Sequence, residues 1–196
     1  MILAIGSHSR KIGKTSVVCA IIRGTPEVRW TAIKISSNRR GLSSGFDSFE
    51  EMVASETCDT GRYLAAGATE AYWLRATDAE MDRAAAFVRI LEADNRALII
   101  ESNRIVERIH PDLYTMALNY DVDDFKDSAR RSFARADAYL RVRSDLRRPP
   151  RWQNVDVERL SRLPVYEVIP PDYAPSGFLM DLRSRLELPV VRESVA

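Results

Sequence analysis

The chain has 196 residues, 45% of them hydrophobic and 29% charged, with 29 basic side chains against 28 acidic ones. That length suits one α/β domain able to bury roughly two-thirds of its unfolded surface. Balanced charge leaves no overall field to draw nucleic acid or an anionic membrane, so neither is expected as a partner.

No apolar stretch is long enough to span a bilayer, and the chain opens on Ile2-Leu3-Ala4-Ile5 without a basic leader, so a cytoplasmic protein is expected. Cys19 falls in a buried helical run and is not expected to pair with Cys58, and no Cys/His set is spaced for structural zinc.

Short apolar runs alternate with helical periodicity, the pattern of a mostly parallel sheet covered on both faces. Residues 2–6 read as a buried strand and 14–23 as a helix, stopped by Gly24-Thr25-Pro26. A second strand covers 30–35. Residues 36–58 are rich in turn formers and lack periodicity, so a long loop is expected there. Asp59 opens a short helix through Ala66, closed by Gly67, and 71–74 form a third strand.

Thr77-Asp78-Ala79-Glu80 has the form of a capping box. Behind it Met81, Ala84, Ala85, Val88 and Leu91 recur at helical spacing to about residue 94. Strands follow at 97–100, 113–118 and 138–142, with a helix between the last two whose buried side is Ala129, Phe133 and Ala136. From about residue 150 an extension adds a short helix at 155–163, a strand at 165–169 and a capped helix at 176–186. Residues 1–196 thus read as a single α/β domain, its mostly parallel sheet of about seven strands flanked by helices.

The join between the first strand and the first helix carries the chemistry. Gly6-Ser7-His8-Ser9-Arg10-Lys11-Ile12-Gly13-Lys14-Thr15-Ser16 has the setting of a P-loop. Backbone N–H groups at a helix start, together with the helix dipole, favour phosphate. We therefore expect a nucleoside triphosphate, ATP or GTP, to be held by Ser9, Arg10, Lys11, Ile12, Gly13, Lys14, Thr15 and Ser16. Lys14 would reach the terminal phosphates, and the Thr15 hydroxyl would complete a Mg²⁺ shell.

Standard spacing puts a glycine at position 8, where this chain has His8. Either the loop is lengthened back to Gly6, or His8 takes the glycine's place and could meet phosphate or substrate. Lys11 is wrongly spaced for the second lysine of a deviant Walker motif.

Ligands of parallel α/β sheets bind beyond the carboxyl ends of the strands, which selects Lys34, Ser36, Glu101, Asn119 and Ser144. Glu101 is expected to hold Mg²⁺ or orient a nucleophile. Lys14, Lys34 and Glu101 are the catalytic candidates, with Thr15 and Glu101 at the metal. Asn119 is a candidate for touching the base, although Tyr120 and Val122 break the guanine-reading pattern. The arginines from Arg141 to Arg151 form a solvated basic run that could take an anionic substrate. His110 reads as structural. Asp47, Glu50, Glu51, Glu56 and Asp59 keep the long loop solvated, and some could approach the metal.

Over about the first 140 residues, the chain resembles the P-loop branch containing molybdopterin-guanine dinucleotide biosynthesis protein B, and more distantly dethiobiotin synthetase. Gly13-Lys14-Thr15, Lys34, Asp59 with Arg62, Ala66-Gly67-Ala68 and Glu101 carry the resemblance. His8 and Glu101-Ser102-Asn103 depart from it, and the C-terminal extension has no counterpart.

The resemblance implies a P-loop NTPase three-layer sandwich, a homodimer, and a role in molybdenum cofactor biosynthesis. The expected activity is Mg²⁺-dependent nucleotide binding with slow hydrolysis or phosphoryl transfer. One alternative is an ATP-dependent small-molecule ligase or kinase, whose substrate carboxylate Lys34 would hold. The other is a non-catalytic accessory protein acting through a protein partner.

Overall fold

The computed structural model describes residues 1–37, 45–94 and 96–188. Among these residues eight strands form one sheet: β1 (Ile2–Ser7), β2 (Trp30–Ser36), β3 (Phe46–Glu51), β4 (Glu70–Ala76), β5 (Ala97–Glu101), β6 (Leu113–Leu118), β7 (Ala138–Val142) and β8 (Val165–Val168). Their order is β3-β4-β2-β5-β1-β6-β7-β8. All neighbours run parallel except β3, which lies antiparallel on β4 at one edge.

Among the described residues five α-helices cover the sheet: α1 (Lys14–Gly24), α2 (Asp59–Ala65), α3 (Met81–Ala93), α4 (Asp127–Phe133) and α5 (Ser176–Arg185). Strand alternation explains the two faces. Leu3 and Ile5 of β1 point into the layer built from α1, α2 and α5, with Val18, Tyr63 and Phe178. Ile2 and Ala4 point into the layer of α3 and α4, with Val88 and Phe133. Because both faces are covered, β1 is apolar up to its closing Ser7 and buried at every position.

The eighth strand corrects the long loop expected at 36–58. Phe46-Asp47-Ser48-Phe49-Glu50-Glu51 lacks apolar alternation, so nothing in its pattern reads as a strand. Its order comes instead from cross-strand partners on β4. Arg75 bonds Asp47 at 2.7 Å and stacks over the rings of Phe49 and Trp73. The part of the expected loop at 38–44 lies outside the described residues.

Other expectations shift by a turn. Thr77 does not cap through its side chain, and a 3₁₀ turn at Asp78–Glu80 precedes α3. Pro175 stands at the start of α5 with no side-chain cap. The helix expected at 155–163 is a 3₁₀ turn, Val157–Ser161. The extension joins the main sheet: β8 pairs with β7, while Phe178 and Leu182 of α5 enter the layer shared with α1.

Candidate functional site

The cleft forms where β1 enters α1. Gly13 sits at the N-cap of α1 in the left-handed region (φ 97°), and no side chain caps the helix. Its first turn carries no acidic residue. An added Cβ on Gly13 would lie 2.7 Å from the Tyr173 ring, so conformation and close approach both require glycine here. The free N–H groups of this helix start open into a cleft of about 460 Å³. Arg10, Lys11, Lys14, Lys34, Arg62 and Lys126 line it, against two carboxylates, Asp59 and Glu101. That excess of positive charge around an uncapped, positive helix end suits an anion.

Glu101 is the electrostatic centre of the cleft. Only 6% of it is exposed, and it ends β5 beside Lys34 of β2 and Ile5 of β1 in the strand register. Its Oε1 lies 3.4 Å from Lys34 Nζ and 4.0 Å from Lys14 Nζ. Its Oε2 accepts hydrogen bonds from the Thr15 hydroxyl (2.8 Å) and the Tyr63 hydroxyl (2.5 Å). Lys34 also pairs with Asp59.

These neighbours shift the titrations of the cleft. Burial and, secondarily, the nearby Lys34 charge lower the pKa of Lys14, and Glu101 only partly restores it. Burial works against charged Lys34 too, but Glu101 and Asp59 outweigh it and hold the amine above its ordinary value. Burial would raise Asp59, yet Lys34 and the Thr15 hydroxyl keep it below the usual carboxylate range. Burial and Glu101 push Tyr63 well above its ordinary value, so it remains a donor. Lys126 is lowered to about 8 by burial and then by Lys14 and Arg10. An arriving anion would relieve this strain between cations.

A scan against family models and a search of curated proteins return no match. Solved structures do match. HypB from Helicobacter pylori in complex with nickel aligns at a TM-score of 0.53 and 14% identity, covering 98% of this chain and 90% of that one. A chain of the MinC:MinD cell division protein complex from Aquifex aeolicus gives 0.52 and 13%, covering 97% and 98%. LpxK from Aquifex aeolicus in complex with ATP gives 0.50 and 16%, covering 97% and 69%. The chain shares their α/β fold, a mostly parallel sheet flanked by helices. At such identities the likeness carries architecture alone.

Within that fold, Arg10 to Ser16 and both expected partners, Lys34 and Glu101, line one cleft. Two expected binders do not line it. Ser9 turns its hydroxyl to Asp124 at 2.7 Å, and Asn119 accepts from the Asp121 backbone N–H at 2.8 Å. Arg141 of the basic run pairs with Glu167 and stacks over Tyr120. Missed by the sequence reading were Lys126, at the start of α4, and Tyr173, brought onto Gly13 by the C-terminal extension.

His8 corrects the expectation that it meets phosphate. It is fully buried, packed between the rings of Phe125 and Trp152, with Nε2 3.2 Å from the Val122 carbonyl. Its backbone ties the loop down, donating to Ala117 and accepting from Lys126. Burial lowers its pKa below the ordinary 6.5, the main-chain contacts notwithstanding.

The unfolded chain therefore takes up this proton first as pH falls. Stability contributed by neutral His8 is complete above 6.5 and is lost on descending through the lower folded value. Between about pH 7 and about pH 5.5, wild type should lose more thermal stability than His8→Gln, up to about 1.4 kcal/mol per pH unit for one proton. Equal losses would show that His8 does not titrate on unfolding.

The donor set suits Mg²⁺. Among the described residues no group of three or more His, Cys, Asp or Glu side chains converges to cage a metal. Mg²⁺ instead takes one or two carboxylates and a hydroxyl alongside phosphate oxygens and water. Thr15, Glu101 and Asp59 supply that set, and the Thr15 hydroxyl can donate to Glu101 while offering a lone pair.

Proposed function

We propose that this chain binds a Mg²⁺-nucleoside triphosphate in the α1 cleft and uses it for slow hydrolysis or phosphoryl transfer. The observation that carries the proposal is the uncapped α1 terminus at left-handed Gly13, ringed by cations with few counter-charges. Lys14 now rests on Ser7 Oγ at 2.9 Å and would swing to the terminal phosphates. Thr15, with Glu101 and Asp59, would hold the ion, which supplies charge neutralisation on the phosphate oxygens when bound.

In the transfer step an acceptor oxygen bonds to the γ-phosphorus as the bridge to the β-phosphate breaks. The diphosphate leaves with the electron pair. A proton from a water or hydroxyl acceptor passes to Glu101, the carboxylate held beside Lys14.

LpxK, solved in complex with ATP on a similar fold, supports a nucleotide as the ligand. The resemblance of Lys34, Asp59 with Arg62, and Glu101 to the molybdopterin-guanine dinucleotide branch supports a homodimer acting in molybdenum cofactor synthesis. A second cleft beside the first favours transfer to an acceptor over hydrolysis alone. Equilibrium binding of ATP and GTP, each with Mg²⁺ and with a chelator, tests the proposal. At least one should bind saturably and more tightly with Mg²⁺, and failure of both would overturn it.

A further inference from the structure

The α1 cleft does not end at the phosphate loop. A second cleft of about 550 Å³ shares Arg10, Lys14, Lys34, Glu101 and Lys126 with it, then continues past Asn103, Arg104, Ser128 and Arg131. Its volume suits a small molecule. Ile35 is the one aliphatic or aromatic side chain lining it among the described residues, so it offers no platform for a base. The nucleoside half of a nucleotide is therefore not its natural occupant.

Charge narrows the ligand further. Six cationic side chains line this cleft against three carboxylates. Of those three, Asp78 bonds Arg104 at 2.7 Å and Asp127 bonds Arg130 at 2.8 Å. Glu101 is shared by Lys34 and Lys14. Arg10 and Lys126 form no ion pair with a described residue. Arg104 is only 12% exposed and is held in place by the Ala76 carbonyl at 3.0 Å, so its guanidinium is already oriented. Arg131 bonds Glu107 through Nε alone at 3.0 Å, leaving its outer nitrogens available. Oriented guanidinium groups recognise phosphate and carboxylate through paired hydrogen bonds.

We propose that this second cleft binds the phosphoryl acceptor, an anionic small molecule bearing a phosphate or carboxylate group that Arg104, Arg131 and Lys126 hold. The inference rests on the nucleotide reading of the first cleft. Lys126 lines both clefts and bridges acceptor to nucleotide, which places the acceptor oxygen next to the transferring phosphate.

The test uses full-length protein saturated with Mg²⁺ and a non-hydrolysable analogue of whichever nucleotide binds. It is titrated calorimetrically with inorganic phosphate and, separately, with succinate. At least one probe should bind saturably, and the one that binds tells phosphate from carboxylate. Arg131→Gln should weaken that binding about tenfold, the loss of one charge-assisted contact. Arg131 is 49% exposed, so the substitution leaves the fold intact. Arg135→Gln, in the turn just after α4 and outside both clefts, should leave it unchanged. The inference is overturned if neither probe binds the loaded protein, or if Arg131→Gln binds as wild type does. Should no nucleotide bind at all, the reading of the first cleft fails as well, and the loading step shows it separately.

Discussion

Glu101→Gln is expected to lower nucleotide turnover by about 10²-fold or more while leaving Mg²⁺-nucleotide affinity within a few-fold. The amide is nearly isosteric with the carboxylate. Its oxygen can face Lys34 and Lys14, and its nitrogen can donate to the Thr15 and Tyr63 oxygens once those hydroxyls rotate. The pocket therefore keeps its shape.

What the substitution removes is a negative charge able to take a proton and to share the metal. It also removes a counter-charge 4.0 Å from Lys14, which offsets the lost metal contact, so affinity should change by no more than a few-fold. Single-turnover release of the diphosphate, with affinity measured separately, distinguishes these effects. A rate within about threefold of wild type would show that Glu101 serves only as a counter-ion to the two lysines.

Gly6→Ala is expected to cost about 3–5 kcal/mol of stability, or roughly 10 °C in a chain of this size. The cause is space. An added Cβ would sit 2.3 Å from the Tyr114 hydroxyl and 2.5 Å from Asn103 Oδ1. Neither neighbour can yield cheaply. Tyr114 donates to Ser132 at 2.9 Å in the core. Asn103 clamps the strand exit with two bonds of 2.7 Å to the Ser7 backbone, accepting from its N–H and donating to its carbonyl.

Moving either group strands buried polar atoms. Tyr114→Phe in the same chain removes the closest clashing atom and should restore part of the loss in thermal unfolding. A Gly6→Ala protein within about 1 kcal/mol of wild type would contradict this packing.

Gly6 and His8 show where the sequence was legible and where it was not. Strand, Gly13-Lys14-Thr15 and helix were readable because their signals are local: the apolar run, the glycine turn and the helix start come from consecutive residues. Lys34 and Glu101 were readable because a parallel sheet gathers its carboxyl ends on one edge. The role of position 8 was not, because it depends on Phe125 and Trp152, residues far along the chain that form an aromatic pocket around the ring. Asn103 similarly clamps Ser7 across the strand exit, a contact no local pattern announces.

Lys126 and Tyr173 reach the cleft from α4 and from the tail, so only the fold makes them neighbours of Lys14. Strand β3 was hidden for another reason. Its residues are polar, and a single arginine on β4 supplies the order that apolar alternation would have advertised.

Thermal unfolding with Mg²⁺-ATP and Mg²⁺-GTP, comparing wild type with Lys14→Ala, tests nucleotide binding at this loop most directly. At about a hundred times its dissociation constant the bound nucleotide should stabilise wild type by about 2.7 kcal/mol, a rise of roughly 5–10 °C. If Lys14→Ala weakens binding about a hundredfold, the same concentration should stabilise the variant by only about 0.4 kcal/mol, near 1 °C. No shift in wild type with either nucleotide, or an equal shift in Lys14→Ala, would contradict a phosphate site built on Gly13, Lys14 and Thr15.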